Sequence, residues 1–188
     1  MPEIVIGAGG ALEAAMLPFH ALRLRVQFRD LSVRIALTPG AEEFVTALAL
    51  QSISNDQVYT EDLPIDSTTQ KPMHMLLASA SLLVLYPCTA RIIAACALGL
   101  ISCPVTRLFA FTPKDRIVVT PYLHPNMSAS LYVDHIAKLR ELGCTMVLPK
   151  NGGLQWTDES AWTATELAVT ERLRLSGVAL HGTFEVSS

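Results

Sequence analysis

The stretch of residues 81–100, SLLVLYPCTARIIAACALGL, decides the fold class of this chain. Its first part is apolar and rich in side chains that favour strands, which predicts a short buried strand. After Pro87 the chain turns, and residues 90–100 are rich in alanine and leucine, which favours a buried helix. A buried strand, a tight turn and a buried helix therefore follow one another here.

The same stretch has to be tested as a membrane-spanning segment, because residues 78–103 are almost wholly apolar. A spanning helix needs about 20 apolar residues without a helix breaker or a charge. Pro87 and Arg91 interrupt the run near its middle. We therefore favour the strand, turn and helix over a membrane span, although hydropathy alone would flag the segment.

The rest of the chain alternates between strand and helix patterns in the same way. Strands are predicted at residues 3–7, 32–38, 116–120 and 145–148, with one edge strand inside a polar loop at 51–71. Helices are predicted from Ala11, after the turn at 38–41, at 130–142 with Gly143 as the C′ residue, and at 158–175 with Thr157 or Asp158 as the cap. This alternation predicts an α/β fold with a parallel sheet between two layers of helices.

In such folds ligands bind where the strands end, which draws attention to the loops at 7–11, 38–41, 87–91 and 121–127. Gly9 and Gly10 would let the backbone approach an anion in front of the next helix. The hydroxyls of Thr38 and Thr89 stand at equivalent strand ends and could serve the same anion. Leu12 occupies the last glycine position of the G-x-G-x-x-G fingerprint, so a tight strand-to-helix connection is the alternative.

The composition excludes several classes of protein. The 188 residues fit a single domain over 1–188, and 51% hydrophobic residues exclude a disordered chain. A net charge of −3 without a stripe of lysine and arginine argues against nucleic-acid binding. Only 16% of the residues are charged, which predicts that apolar surface is hidden in an oligomer interface.

The cysteines and the first residues indicate the compartment. Cys88, Cys96, Cys103 and Cys144 show no C-x-x-C pair and no metal-ligand spacing, so no metal site is predicted. Cys88 and Cys96 are expected to be small buried hydrophobes. The N-terminus lacks the basic segment that precedes the apolar core of a secretory signal. We expect a reduced, cytoplasmic compartment and no membrane partner.

Several short motifs stand in a fixed order over residues 3–149. They are GAGGA at 7–11, LTPGAEEFV at 37–45, His74 thirteen residues before Pro87, PCTAR at 87–91, Gly99, and PYLHPNM at 121–127. In order and spacing they resemble G-x-T-G-S, L-T-x-x-A-x-x-F-V, an active-site histidine, P-A-S/T-A-N and P-x-M-N-x-x-M of the flavin-dependent cysteine decarboxylases. That family includes lantibiotic-type peptidyl-cysteine decarboxylases and phosphopantothenoylcysteine decarboxylase.

The resemblance implies a flavodoxin-like, Rossmann-like three-layer sandwich that binds FMN and oxidatively decarboxylates the C-terminal cysteine of a ribosomally made peptide. It implies His74 and His124 as catalytic residues. It implies a cofactor site made of Gly9, Gly10, Ala11, Thr38, Phe44, Pro87, Cys88, Thr89, Ala90, Arg91 and Met127. The implied partners are a Cys-terminated precursor peptide and other subunits, in a trimer-based oligomer up to a dodecamer, of this chain alone or with a paralogue.

This chain departs from the family motifs at several positions. Ala11 replaces a serine, and Arg91 and His124 each replace an asparagine. Ser102 and Cys103 replace an Asp-Asn pair. The glycine-rich C-terminal part of the pantothenate enzymes is also missing, which makes a peptide-modifying decarboxylase the closer relative. The alternative is a non-catalytic paralogue that keeps the fold and serves as a partner subunit or a peptide-binding scaffold.

Three residues have an expected chemistry, and each has a simpler alternative. His74 is expected to be the base, because an imidazole transfers protons near neutral pH; the alternative is a core histidine bonded to a carbonyl. His124 is expected to be a neutral N–H donor, because an imidazolium would favour the carboxylate over a transition state that loses its charge; the alternative is a solvated loop histidine. Arg91 is expected to bind the FMN phosphate or a peptide carboxylate; the alternative is an ion pair at a subunit contact.

The segment at 150–188 is predicted to form a C-terminal flap and helix. Trp156 and Trp162 would either cover the peptide or dock the last helix. His20, His135 and His181 have no constellation around them and are expected to be surface or helix residues.

Overall fold

A computed structural model describes residues 2–28, 30–54, 57–60, 65–66, 68–156 and 160–178. Within these residues the chain forms one six-stranded parallel sheet of order β3-β2-β1-β4-β5-β6. The strands are β1 Glu3–Ala8, β2 Ser32–Leu37, β3 Val58–Tyr59, β4 Leu82–Cys88, β5 Ile117–Pro121 and β6 Thr145–Met146. The predicted parallel sheet and its edge strand are thereby confirmed.

Helices cover both faces of the sheet. They are α1 Leu17–Gln27, α2 Pro39–Glu42, α3 Ala47–Ser54, α4 Met73–Leu77, α5 Ala90–Leu98, α6 Pro104–Phe111, α7 Val133–Glu141 and α8 Ala161–Leu175. Two apolar cores result. One holds buried residues of α1, α3 and α8, and the other holds buried residues of α4, α5, α6 and α7. The predicted three-layer α/β fold is therefore confirmed.

The central strands serve both cores. In β1, Ile4 and Ile6 face the first core while Val5 faces the second. Every residue of β4 is buried, as expected for a central parallel strand with helices on both sides. This burial explains the unbroken apolar run in the sequence.

The strand order fixes where a ligand can bind. β1 pairs with β2 on one side and with β4 on the other. The helix that follows β1 packs on one face of the sheet, and α5, which follows β4, packs on the other. The chain therefore leaves β1 and β4 towards opposite faces of the sheet, and a crevice opens at the carboxyl ends of the strands.

The first helix begins later than predicted. A 3-10 turn at Leu12–Met16 comes first, and α1 starts at Leu17 rather than near Ala11. Pro18 explains the break, because a proline ring clashes with the carbonyl four residues earlier in a continuous helix.

The last helix also begins later, with Ser160 as its cap. The Ser160 hydroxyl accepts a hydrogen bond from the backbone N–H of Thr163 at 3.3 Å. Thr157 and Asp158, the predicted caps, lie outside the described residues. Gly143 follows α7 with a φ of 102°, as predicted for a C′ residue.

Helix α6 covers residues for which no element is predicted. Pro104 stands in its first turn, and the Thr106 hydroxyl accepts the backbone N–H of Cys103 at 3.1 Å. Proline at the start of a helix is a usual signal, but cysteine is not a usual N-cap residue. The start of α6 is therefore weakly marked in the sequence.

A large apolar surface remains exposed on the single chain. Among the described residues, no helix is long and apolar enough to cross a bilayer. Exposed apolar side chains occur on most of the helices; those on and next to α1, α5 and α6 include Met16, Phe19, Leu22, Val26, Leu98, Leu100, Ile101 and Phe111.

Candidate active site

A cavity of about 700 Å³ opens at the carboxyl ends of β1, β2, β4 and β5, within the size range of cofactor sites. It is lined by Gly10, Ala11, Leu12, Thr38, Pro39, Gly40, Phe44, Thr89, Ala90, Arg91, Ile92, Ser102, Cys103, Thr106, Tyr122, His124, Pro125 and Met127. All four predicted loops contribute. Of the predicted cofactor residues, Gly9, Pro87 and Cys88 are buried and do not line it.

Two glycines allow the loops after β1, β2 and β4 to touch. The backbone N–H of Gly9 donates to the carbonyl of Pro87 at 2.9 Å, and a Cβ on Gly9 would lie 2.8 Å from that oxygen. A Cβ on Gly10 would lie 2.6 Å from the carbonyl of Gly40. Both positions need glycine because backbone meets backbone. The Gly9 amide is already bonded, so Gly9 shapes the cavity and does not bind an anion through that N–H.

The two threonines at the strand ends differ in what their hydroxyls do. The Thr38 hydroxyl accepts the N–H of Ala41 at 3.2 Å and so caps α2. Thr89 occupies the N-cap position of α5 without a side-chain cap bond. The start of α5 therefore faces the cavity with an uncapped first turn, which favours an anion.

Arg91, the second residue of α5, supplies positive charge to the cavity wall. None of the ion pairs between described residues involves Arg91. A cation at the start of a helix is disfavoured by the helix dipole. An anionic ligand in the cavity would offset that cost.

His124 is the first residue of a β-turn, and a hydrogen bond within this turn fixes the tautomer of its side chain. The N–H of Met127 donates to the His124 carbonyl at 2.9 Å, and Pro125 takes the second turn position, where proline is favoured. The backbone N–H of Asn126 donates to Nδ1 of His124 at 3.1 Å. Because Nδ1 accepts, the neutral ring carries its hydrogen on Nε2, which is the nitrogen left for a ligand.

Two residues of the segment 150–156 contact the cavity loop. Nε2 of Gln155 donates to the carbonyls of His124, Pro125 and Met127 at 3.2, 2.9 and 3.1 Å. The indole N–H of Trp156 donates to the Pro121 carbonyl at 2.7 Å. Gln155 and Trp156, both in the segment predicted as a flap, thus hold the cavity loop.

A carboxylate holds the same loop from the inner side. The hydroxyls of Tyr122 and Tyr86 donate to Glu13 at 3.3 and 3.0 Å. Burial, with the Glu13 charge second, raises the pKa of both tyrosines. Both hydroxyls therefore stay protonated as donors, and the Tyr122 ring is fixed in the cavity wall.

Beneath Tyr86 lies an aromatic cluster that contains a buried histidine. His20 belongs to α1 but is only 6% exposed, so its expected placement in a helix is correct and a surface placement is not. Its ring stacks on Trp162 at 4.1 Å, which docks α8. Neither ring nitrogen has a hydrogen-bond partner among the described residues. Burial, with the Arg23 charge second, lowers the pKa of His20 to about 4.

His74 lies outside the cavity of a single chain. It belongs to α4, and its ring lies 4.5 Å from the ring of Phe111 at the far end of α6. Phe111 is five residues beyond the cavity residue Thr106, which corresponds to about 7.5 Å along a helix. Nδ1 of His74 is buried without a partner in the described part of the chain. Burial, with the charge of Arg107 second, lowers the pKa of His74 and so favours a neutral ring.

Several residues line the cavity that were not predicted as cofactor or catalytic residues. The omitted side chains are Leu12, Pro39, Ile92, Ser102, Cys103, Thr106, Tyr122 and Pro125, with Gly40. Most of them are neighbours of predicted site residues in the strand-end loops, so their place in the sequence already indicated that they lie near the site. Thr106 was not indicated because the start of α6 is weakly marked, and Ser102 and Cys103 were noted only as replacements of an Asp-Asn pair. Cys88 and Cys96 are buried, as predicted; His135 is half-buried, and His181 lies outside the described residues.

A crevice at the switch point of a parallel sheet, with an uncapped helix start beside apolar walls, defines an α/β protein of the class that binds nucleotide-like cofactors. The family model described as Flavoprotein matches residues 1–168. The chain therefore belongs to the flavoprotein family, which confirms the predicted resemblance.

Known relatives share the fold at low identity. The coenzyme A biosynthesis bifunctional protein CoaBC of Escherichia coli (strain K12) is 31% identical over 160 residues, which are 84% of this chain and 36% of that protein. The chain thus spans about a third of the length of the curated relatives it matches. The cypemycin decarboxylase CypD superposes with a TM-score of 0.71 at 18% identity, covering 95% of this chain and 97% of its own.

A second solved structure gives the same result. The FMN-dependent cysteine decarboxylase TvaF from thioviridamide biosynthesis superposes with a TM-score of 0.70 at 20% identity. The match covers 92% of this chain and 98% of that chain. At these identities the likeness establishes the fold, and the strand-end loops described above supply what is particular to this chain.

Proposed function

We propose that this chain is an FMN-dependent decarboxylase that acts on the C-terminal cysteine of a ribosomally made precursor peptide and leaves an aminoenethiol. The observation that carries this proposal is the convergence of the four motif-bearing loops on one cavity. Membership of the flavoprotein family supports a flavin, and the similarity to a cypemycin decarboxylase and an FMN-dependent cysteine decarboxylase supports the substrate.

The residues of the cavity fit FMN. The uncapped start of α5, the Thr89 hydroxyl and Arg91 offer N–H donors and positive charge to a phosphate. Phe44 and Met127 give apolar walls for a flat ring system. Bound FMN supplies a hydride acceptor, and the protein supplies binding, orientation and proton transfer.

The chain itself must move one proton and hold one carboxylate. Loss of a hydride from the cysteine Cβ and of the thiol proton gives a thioaldehyde β to the carboxylate, so carbon dioxide leaves as it does from a β-keto acid. A neutral donor holds the carboxylate without stabilising its full charge. Nε2–H of His124 suits this role, and a rate that increases as the pH decreases would contradict it.

We assign the base to His74 of a neighbouring subunit. In its own chain His74 is separated from the cavity, and its ring lies against Phe111, an exposed apolar side chain. Subunit contact there would bury apolar surface and bring the ring to another chain's cavity. His74→Asn should keep FMN and lose turnover.

Complementation tests whether His74 acts across a subunit boundary. His74→Asn and His124→Ala subunits should each be inactive alone and should regain part of the rate when they are refolded or co-expressed together. Mixed oligomers without any recovered activity would argue for a base within the same chain. Light scattering gives the assembly state, and a monomer in solution would contradict the trimer-based oligomer.

The main test uses the purified chain and a peptide that ends in cysteine. We expect a yellow protein with a flavin absorption spectrum, and a peptide product that has lost carbon dioxide and two hydrogens by mass. A peptide that ends in serine is the matched control, because it lacks the thiol and should be left unchanged.

The alternative is a non-catalytic paralogue that serves as a partner subunit or scaffold. The replacement of family residues by Ala11, Arg91 and His124 favours it, because all three line the cavity. A colourless protein that does not take up added FMN would support this alternative. A coloured protein that turns over no Cys-terminated peptide would exclude the enzyme as proposed.

Arg91→Ala identifies the anion that Arg91 binds. Weaker FMN binding would assign the guanidinium to the phosphate, and weaker peptide binding with unchanged FMN affinity would assign it to the peptide carboxylate. If neither affinity changes, Arg91 belongs to a subunit contact.

A further inference from the structure

Gln155 makes an unusual set of contacts with the cavity loop. Its Nε2 lies within 3.2 Å of the carbonyl oxygens of His124, Pro125 and Met127. An amide nitrogen has two hydrogens, so three acceptors share them. The three oxygens would repel an amide oxygen or a carboxylate at the same point, and only a donor satisfies them.

The bonded carbonyls belong to the turn that orients His124. The His124 carbonyl closes this turn with Met127, while Nδ1 of the same residue accepts the N–H of Asn126 at 3.1 Å. The Nδ1 bond forms only if the backbone of Asn126 keeps its place relative to the ring. Whatever holds the turn therefore also decides which ring nitrogen carries the hydrogen.

We propose that Gln155 is a positioning residue that holds the His124–Met127 turn, so that His124 offers Nε2–H, and not Nδ1–H, to the carboxylate in the cavity. The effect of this role on the reaction rests on the proposed function. The tautomer of His124 itself does not depend on turnover and can be measured on the protein alone.

The test compares the same amide-to-carboxylate change at two positions. Gln155→Glu keeps the size of the side chain and replaces the donor by an acceptor facing three carbonyls. Gln51→Glu makes the same change on the exposed surface of α3 and serves as the control. Gln155→Ala is the second variant, in case Gln155→Glu fails to fold.

The first readout is the pair of side-chain ¹⁵N shifts of His124, assigned by their loss in His124→Asn. We expect the wild type and Gln51→Glu to show the Nε2–H tautomer, and Gln155→Glu and Gln155→Ala to show a mixture of tautomers. Unchanged shifts in a folded Gln155 variant, or a wild type already mixed, would overturn the proposal.

The second readout is steady-state turnover of a Cys-terminated peptide with FMN-loaded protein. Only the molecules that keep Nε2–H can donate to the carboxylate, so KM should rise by the inverse of their fraction, about twofold for an equal mixture of tautomers, with the larger increase in Gln155→Glu. If the wild type shows the expected tautomer but turns over no such peptide, the proposed function fails while the positioning of His124 stands. If turnover is normal in a Gln155 variant with mixed tautomers, the consequence proposed for the reaction is wrong.

Discussion

The two sides of the cavity are built in different ways. On the glycine side, which comprises residues 9–11, 38–40 and 89–91, neighbouring loops touch through backbone, as Gly10 does with Gly40. On the loop side, residues 121–127, the backbone is held by side chains distant in sequence, such as Glu13 and Gln155. The glycine side depends on the absence of side chains and the loop side on their hydrogen bonds. Mutations on the glycine side should therefore act through steric clashes, and mutations on the loop side through lost hydrogen bonds.

The largest effect is expected where backbone meets backbone on the glycine side. In Gly10→Ala the new Cβ would lie 2.6 Å from the Gly40 carbonyl, which cannot retreat without moving its loop. Overpacking of this kind costs about 1–3 kcal/mol, and displacement of the loop should weaken FMN binding by about 10–100-fold. Flavin titration and thermal melting measure both.

Gly40→Ala is the matched control for this junction. A Cβ on Gly40 would meet its nearest atom at 3.5 Å, an ordinary contact. We expect a clearly smaller effect than that of Gly10→Ala. Equal effects of the two substitutions would show that the junction is not packed as described.

The next effect concerns the pH dependence of the support beneath the loop side. His20 stacks on Trp162 and contacts Tyr86, and its pKa is lowered by burial to about 4. The unfolded chain binds this proton near pH 6.5, so stability falls as the pH decreases from about 6.5 to 4. His20→Phe keeps an aromatic ring without titratable nitrogens.

The measurement is the melting temperature of both proteins between pH 7 and 4. His20→Phe should lose less stability than the wild type over this range, with a gap of several degrees at pH 5. Replacement of His135, which is half-buried on α7, provides the control. Parallel curves for the wild type and His20→Phe would rule out a folded-state pKa near 4.

The smallest effect is expected from the two hydroxyls bound to Glu13. Tyr86 is fully buried and donates at 3.0 Å, whereas Tyr122 is half-buried and donates at 3.3 Å. Tyr86→Phe should cost about 1.5 kcal/mol of unfolding free energy, the low end for a bond to a charged group because Glu13 is partly exposed, and Tyr122→Phe should cost less because its bond is longer. Tyr122→Phe should nevertheless change FMN or peptide binding more, since only Tyr122 lines the cavity. Urea unfolding together with ligand titration would reveal a reversed order.

The same contrast explains what could be predicted from the sequence. The apolar run of β4 and the strand-end loops are local patterns, so the sheet and the glycine side follow from neighbouring residues. The pairing of Glu13 with Tyr122 joins positions 109 residues apart, and no local pattern indicates it. In the sequence Gln155 does not differ from other polar residues, and only the fold shows that three carbonyl oxygens lie next to its side chain.

The location of His74 marks a different limit. Its position thirteen residues before Pro87 resembles that of the family's active-site histidine, but position along one chain does not reveal on which surface the residue lies. The fold places it beside Phe111, away from the cavity of its own chain. Only the arrangement of subunits decides whether the predicted catalytic role is physically possible.

The missing cap of α5 has a consequence for folding as well as for binding. An N-cap bond is worth about 1 kcal/mol to a helix, and Thr89 does not form one. A phosphate bound there would accept the free amides and complete the helix, so that the ligand becomes part of the protein's secondary structure. Holoprotein and apoprotein should then differ in the amide exchange of α5 as well as in colour, and cellular flavin supply would set how much of the chain is fully folded.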